Sequence, residues 1–203
     1  PDDNRFWCHQ CNAHGWLDGL LDSERPPAPI PLQPRIDRTA ATPANPAHIE
    51  SYRQIYAAVA LWAHLNLLAE HNPEPRAYLH ARGLSAATIN SALLGYALHD
   101  PAALPAYLRK EHASLLPYAE ASGVLIRTRG ELLAHPNLRG TLVFPYLAGG
   151  IVADLRTRSF PGKGYRSLAG SYTDRGATAL FGWDSLGDSD TVIITEGEIK
   201  ALA

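Results

Sequence analysis

Seven prolines fall among the 23 residues from position 25 to 47: Pro26, Pro27, Pro29, Pro31, Pro34, Pro43 and Pro46. No other feature limits the fold as strongly. Each proline removes a backbone donor and favours extended conformations, so the stretch reads as a linker. It divides the chain of 203 residues into a small N-terminal module, 1–24, and a larger remainder. One or two domains fit that length. With 46% hydrophobic and 19% charged residues the chain can bury a core and is not a disordered tail. It has no apolar run of about 18 residues, the length that would announce a transmembrane helix. Pro1-Asp2-Asp3-Asn4-Arg5 lacks the basic-then-apolar order of a signal peptide, and a cytoplasmic location is expected. Two cysteines exclude a multi-disulfide scaffold. The sequence holds no methionine and is read as a piece of something longer.

The net charge of −2 conceals a pattern. Residues 1–126 carry 9 Lys/Arg against 12 Asp/Glu, residues 127–175 carry 8 against 3, and residues 176–203 carry 1 against 5. A basic middle abuts an acidic end. That is the footprint of a polyanion-binding surface beside a carboxylate-rich site.

Local signals give a helical half and a strand half. Asn45 and Pro46 can open a helix over 46–71, with Ile49, Tyr52, Tyr56, Val59 and Ala63 on one face. A second helix over 75–82 ends at Gly83, and Ser85 caps a third running to about Leu93. Short helices are expected at 101–112 and 115–121. After Gly123 the period changes. Val124–Ile126, Thr141–Phe144 and Ile151–Leu155 are rich in β-branched residues, with Gly149-Gly150 as a hairpin turn. Residues 191–195 read as a buried strand, and Glu196-Gly197 leads from it into a helix beginning at Glu198.

The residues that can carry chemistry fall in four places. Cys8 and Cys11 have the C-x-x-C spacing that aims two thiolates at one zinc ion, which needs four ligands in a closed structural site. The same spacing serves thioredoxin-like redox sites, or simply two free thiols. Arg156 and Arg158 lie two apart on a strand and share a side, which is expected to be open because buried arginines are costly. Lys163, Tyr165 and Arg166 form a basic, aromatic loop suited to single-stranded nucleic acid or a nucleoside triphosphate. Glu196 stands at a strand end, where α/β sites collect.

Four matches, the third in two pieces over 139–168, resemble in order bacterial DnaG-type DNA primases. Phe6-Trp7-Cys8-His9-Gln10-Cys11 through Trp16 is similar to the second half of that family's zinc ribbon. Ala77-Tyr78-Leu79-His80-Ala81-Arg82-Gly83-Leu84-Ser85 through Gly95-Tyr96-Ala97 resembles the opening of the polymerase core; these residues read as structural. Arg139-Gly140 before Leu142-Val143-Phe144-Pro145 resembles an Arg-Gly-Arg-then-strand motif, with Thr141 in place of the second arginine. Gly162-Lys163-Gly164-Tyr165-Arg166-Ser167 resembles the Lys-Tyr-Leu-Asn-Ser segment with a glycine inserted. Val192 to Leu202 looks like the first motif of a TOPRIM domain, whose glutamate holds magnesium together with a later Asp-x-Asp pair. Lys200 stands where cellular primases usually carry aspartate, a pattern resembling primases of phages, plasmids and other mobile elements.

The resemblance implies a mixed α+β fold. Residues 1–24 would be the C-terminal half of a zinc ribbon and 25–47 a linker. Residues 48–187 would form the N-terminal subdomain of the core, helical over 48–122 and β-rich over 123–187. Residues 188–203 would be the first strand and helix of TOPRIM. It implies RNA-primer synthesis on single-stranded DNA from nucleoside triphosphates, with a helicase in cis or in trans. Cys8 and Cys11 would hold zinc. Glu196 would hold magnesium as a catalytic residue. Arg139, Arg156, Arg158, Lys163, Tyr165 and Arg166 would contact nucleic acid or nucleotide. No Asp-x-Asp pair follows Glu196, so these 203 residues alone are expected to be inactive in synthesis. Two other readings stay open: a TOPRIM topoisomerase or nuclease, and a non-catalytic nucleic-acid-binding module.

Overall fold

A computed structural model describes residues 5–7, 14–16, 46–162, 164–168, 181–186 and 193–203. The chain forms two units, residues 1–39 and 40–203. The first contains an antiparallel pair, β1 (Arg5–Trp7) and β2 (His14–Trp16), with Trp7 opposite His14. The six residues between them carry Cys8 and Cys11. Those, and all of the expected linker except Pro46 and Ala47, lie outside the described residues.

The second unit opens with a short 3-10 turn, Pro46–His48, and then α1 (Ile49–Leu68). The helix starts three residues later than the Asn45–Pro46 signal predicts and stops before residue 71. Its apolar face is wider than one stripe, since Ile55, Ala60 and Leu67 are buried along with Tyr52, Tyr56, Val59 and Ala63. Three helices follow: α2 (Pro73–Ala81), α3 (Ala86–Ser91) and α4 (Ala103–Glu111). Pro73 sits at the start of α2, where its missing N–H costs nothing. The Ser85 hydroxyl accepts the Thr88 N–H at 3.0 Å and caps α3 as expected. The helix predicted over 115–121 is instead a 3-10 turn, Ala113–Tyr118, because Pro117 inside it cannot donate to an α-helical ladder.

Between α3 and α4 lies a three-residue strand, β3 (Gly95–Ala97). It pairs with β6 (Thr141–Ala148), which pairs with β7 (Ile151–Ser159), which pairs with β8 (Tyr165–Ser167), all antiparallel. A separate hairpin, β4 (Leu125–Thr128) with β5 (Glu131–Ala134), turns at Arg129-Gly130. The Gly149-Gly150 turn forms as expected, both residues at positive φ (59° and 74°), and both N–H groups donate to the Asp184 carboxylate at 2.8 Å.

Strands β6 and β7 of the four-stranded sheet are buried on both faces over most of their length, which divides the apolar interior in two. Val143, Leu155 and Ala97 point into one cluster with α1, α4 and the hairpin. Leu142, Phe144 and Tyr96 point into another with Leu79, Leu84, Ile89 and Ile199. Alternate residues of one strand feed opposite cores, so β6 is buried at six successive positions. Gly95 brings β3 against α1: a Cβ there would lie 2.5 Å from Ala63 Cβ.

The chain ends in α5 (Glu198–Leu202), as the Glu-Gly signal predicts. The strand expected over 191–195 is not found in its described part: residues 193–195 have no strand geometry, and Ile193 and Ile194 are 87% exposed. A strand exists only through a paired neighbour, and no described strand lies beside this segment. Among the described residues no helix is long and apolar enough to cross a membrane.

Candidate nucleic-acid interface

Strand β7 displays Arg156 and Arg158 on one side, as a period of two demands. Their partners in β6 are Phe144 and Leu142, so both arginines stand on the sheet face covered by α2 and α5. The expectation of an open side is therefore corrected. Arg158 is only 8% exposed. Burial of so strong a cation needs compensation, and two tyrosines supply it. The Arg158 guanidinium lies 5.1 Å from the Tyr78 ring centroid and 5.5 Å from that of Tyr165, and its Nη1 donates to the Tyr78 hydroxyl. Its Nε has no hydrogen-bond partner among the described residues.

Arg156 is tied differently. Its Nη1 lies 3.1 Å from the Glu198 carboxylate and donates to the Tyr146 hydroxyl at 3.2 Å. Tyr146 in turn donates to Glu198 at 2.7 Å. Burial first, and then its bond to Glu198, push the Tyr146 phenol well above its ordinary pKa. Glu198, in the first turn of α5, is thus a buried strut, 4% exposed.

Arg158, Tyr165, Arg82, Gly197, Ile199, Glu196 and Lys200 line a cleft of about 430 Å³. Three cations face one carboxylate there. Glu196 is 82% exposed and accepts from Lys200 at 2.5 Å. That hydrogen bond, and the ammonium charge behind it, hold the Glu196 carboxyl below the usual range. Burial, then the Glu198 charge, push the Tyr165 phenol up.

The fold therefore brings Arg158, Tyr165 and Glu196 together and leaves Arg156 at the edge, paired to protein. Arg166 neighbours Tyr165 on β8 and so faces the opposite side of the sheet. Arg139 is not a cleft residue: its guanidinium donates from Nε to the Ala134 carbonyl at 2.8 Å and from Nη2 to the same oxygen. Lys163, Cys8 and Cys11 lie outside the described residues. The sequence marks Arg82 only as a structural residue and Lys200 only as a departure from the family pattern. The signal for Arg82 was its place at the end of α2, where a cation also complements the helix dipole. A second hollow of about 340 Å³, lined by Gln54, Ala57, Ala58, Leu61, His112 and Leu115, is apolar and has no such charges. Among the described residues no group of three or more His, Cys, Asp or Glu is placed to hold a metal ion.

Near Arg139 the structure makes a pH prediction. His135 Nδ1 accepts the Asn137 N–H at 3.1 Å, which requires that nitrogen to be unprotonated. Burial, then the Arg139 charge, hold the His135 pKa below its ordinary value. The folded chain resists a proton that the unfolded chain accepts below about pH 6.5. Stability present above that pH is lost as pH falls. Thermal unfolding followed by circular dichroism is expected to shift to lower temperature on acidification, and His135→Gln to flatten part of that dependence.

No family model matches the chain, and no curated protein matches it. Solved structures do. A structure of the DnaG catalytic core superposes with a TM-score of 0.62 at 17% identity, covering 74% of this chain and 49% of that one. The Aquifex aeolicus primase, with its zinc-binding and RNA polymerase domains, gives 0.53 at 17% identity, covering 88% and 45%. A DnaG primase catalytic domain bound to ssDNA gives 0.52 at 19% identity, covering 64% and 40%. The chain spans about half the length of these proteins or less. At such identities the likeness is one of fold: this chain, with its helices around an antiparallel sheet, has the fold of part of a DnaG primase catalytic core.

Proposed function

We propose that this chain is part of a primase, an enzyme that builds RNA primers on single-stranded DNA by metal-dependent nucleotidyl transfer. The observation that carries the reading is the cleft that Arg82, Arg158 and Lys200 line together with Tyr165 on a primase-core fold. Cations neutralise phosphates, and a tyrosine face stacks on a base of any sequence. A template strand and a nucleoside triphosphate both present those groups.

Glu196 suits magnesium as a single carboxylate ligand. It is exposed in the cleft, and Lys200 keeps it ionised. Magnesium characteristically uses one or two carboxylates and completes its shell with water and phosphate. When bound, the ion would position a 3′-hydroxyl and a triphosphate for transfer. Lys200 must let go of Glu196 for that, and its freed ammonium then faces the same phosphates. Arg158 needs no rearrangement, since the two tyrosines already hold its guanidinium in place.

Cys8 and Cys11 are proposed as two of the four ligands of a structural zinc. The antiparallel strands on either side of the pair support this, because such a connection brings the ends of a short loop together. The Glu-Gly-Glu-x-Lys pattern supports a mobile-element origin, in which a replicative helicase is the natural partner.

Fluorescence anisotropy with a labelled oligothymidine tests the reading. Affinity is expected to fall linearly in log–log terms as salt rises, with a slope of about −2 for three phosphate contacts. Absence of binding at low salt, or binding indifferent to salt, would overturn it.

A further inference from the structure

A carboxylate buried to 4% exposure at the first turn of a five-residue helix calls for a reason. Desolvating it is costly, and only oriented partners offset that cost. Glu198 has two, Arg156 on β7 and Tyr146 on β6, and these two also touch each other. The three side chains form a closed triangle between helix α5 and the sheet.

The triangle matters because of what else holds α5. Residues 193–195 before it belong to no strand, and their isoleucines are in solvent. Ile199 enters the apolar cluster of Leu79, Leu84 and Phe144, Leu202 packs against it, and Tyr165 is hydrogen-bonded to the Ile199 backbone, so one face of α5 is turned to the sheet. The Glu198 contacts add the ion pair and the directional hydrogen bond that hold that angle. Lys200 lies two residues on, about 200° around the helix. With Glu198 turned into the sheet, Lys200 turns out into the cleft, and Glu196, one residue before the Gly197 cap, meets it there.

We infer that Glu198 is a positioning residue: through Arg156 and Tyr146 it sets the angle of α5 and so presents Glu196 and Lys200 to the cleft. This rests on the nucleic-acid reading of the cleft. It assigns Arg156 to holding the wall and leaves ligand contact to Arg82, Arg158 and Lys200.

Glu198→Gln keeps the volume and an acceptor for Tyr146 but removes the charge that holds Arg156. Hydrogen exchange followed by mass spectrometry reads the helix directly, since the Ala201 and Ala203 amides are bonded within α5. In the variant these amides are expected to exchange about tenfold faster while those of α1 and β6 keep their rates. Oligothymidine affinity is expected to fall about tenfold, with the salt slope shallower by about 0.7 unit as Lys200 leaves the cleft. Tyr146→Phe, which spares the ion pair, is expected to move both readouts the same way and less. Unchanged exchange and unchanged affinity in Glu198→Gln, or acceleration spread evenly over the whole chain, would sink the inference. If the wild-type chain fails to bind the oligonucleotide, the cleft reading falls, and the exchange pattern alone still decides whether Glu198 holds α5.

Discussion

Gly95→Ala is expected to cost about 3 kcal/mol, the upper end of what overpacking does. In an ordinary strand the same change is stabilising by up to about 1 kcal/mol, because alanine restricts the unfolded chain. Position 95 is not ordinary. The new Cβ would lie 2.5 Å from Ala63 Cβ, 2.7 Å from the Ala63 carbonyl carbon and 2.8 Å from the His64 nitrogen. Two of those atoms are helix backbone and cannot swing aside. The neighbouring seam is also fixed: the buried His64 ring meets the Leu94 carbonyl at 2.7 Å, and Gly95 is in register with Val143 on β6. The clash therefore outweighs the entropic gain. For a chain of this size the midpoint of thermal unfolding should drop by roughly 6–12 °C. A midpoint that stays or rises would mean that α1 does not approach β3 this closely.

Arg158→Ala is expected to weaken oligothymidine binding about 30-fold, the equivalent of about 2 kcal/mol for a lost charge-assisted contact. Arg158→Lys is expected to rescue little of it. The guanidinium lies over the Tyr78 and Tyr165 rings and is anchored by the Tyr78 hydroxyl, and a lysine ammonium on its flexible stem does not reproduce that placement. The loss should be uniform across sequences and should take about 0.7 unit from the salt slope. Arg139→Ala provides the contrast, since that guanidinium is spent on the Ala134 carbonyl. If Arg139→Ala weakens binding as much as Arg158→Ala, the ligand does not follow the cleft. Circular dichroism must accompany these titrations, because Arg158 is buried and its removal also loosens two aromatic contacts.

Much of the fold is legible where one residue type decides local geometry. Ser85 supplies a side-chain acceptor at a helix start, Gly149-Gly150 supplies positive φ at a hairpin, and Pro73 suits a first turn. Glu198 marks where α5 begins. Each of these effects reaches only a few residues, so the sequence contains it whole. Short strands were not legible. Residues 95–97 and 165–167 are strands only because β6 and β7 lie alongside them, and nothing in three residues announces a neighbour. Residues 193–195 make the converse case, with the composition of a strand and no described partner.

The site divides in the same way. That Arg156 and Arg158 share a side follows from chain periodicity alone, and so does the separation of Arg166 from Tyr165. Their fates do not. One arginine is clamped by a carboxylate 42 positions further along the chain, and the other by a tyrosine 80 positions earlier. The amino-acid sequence by itself determined which groups were available and which face of each element would carry them. Only the tertiary structure decided which cations were spent on protein and which were left to line a cleft, because that depends on which side chains meet across the sheet, and such meetings are set by packing over distances that local periodicity does not reach.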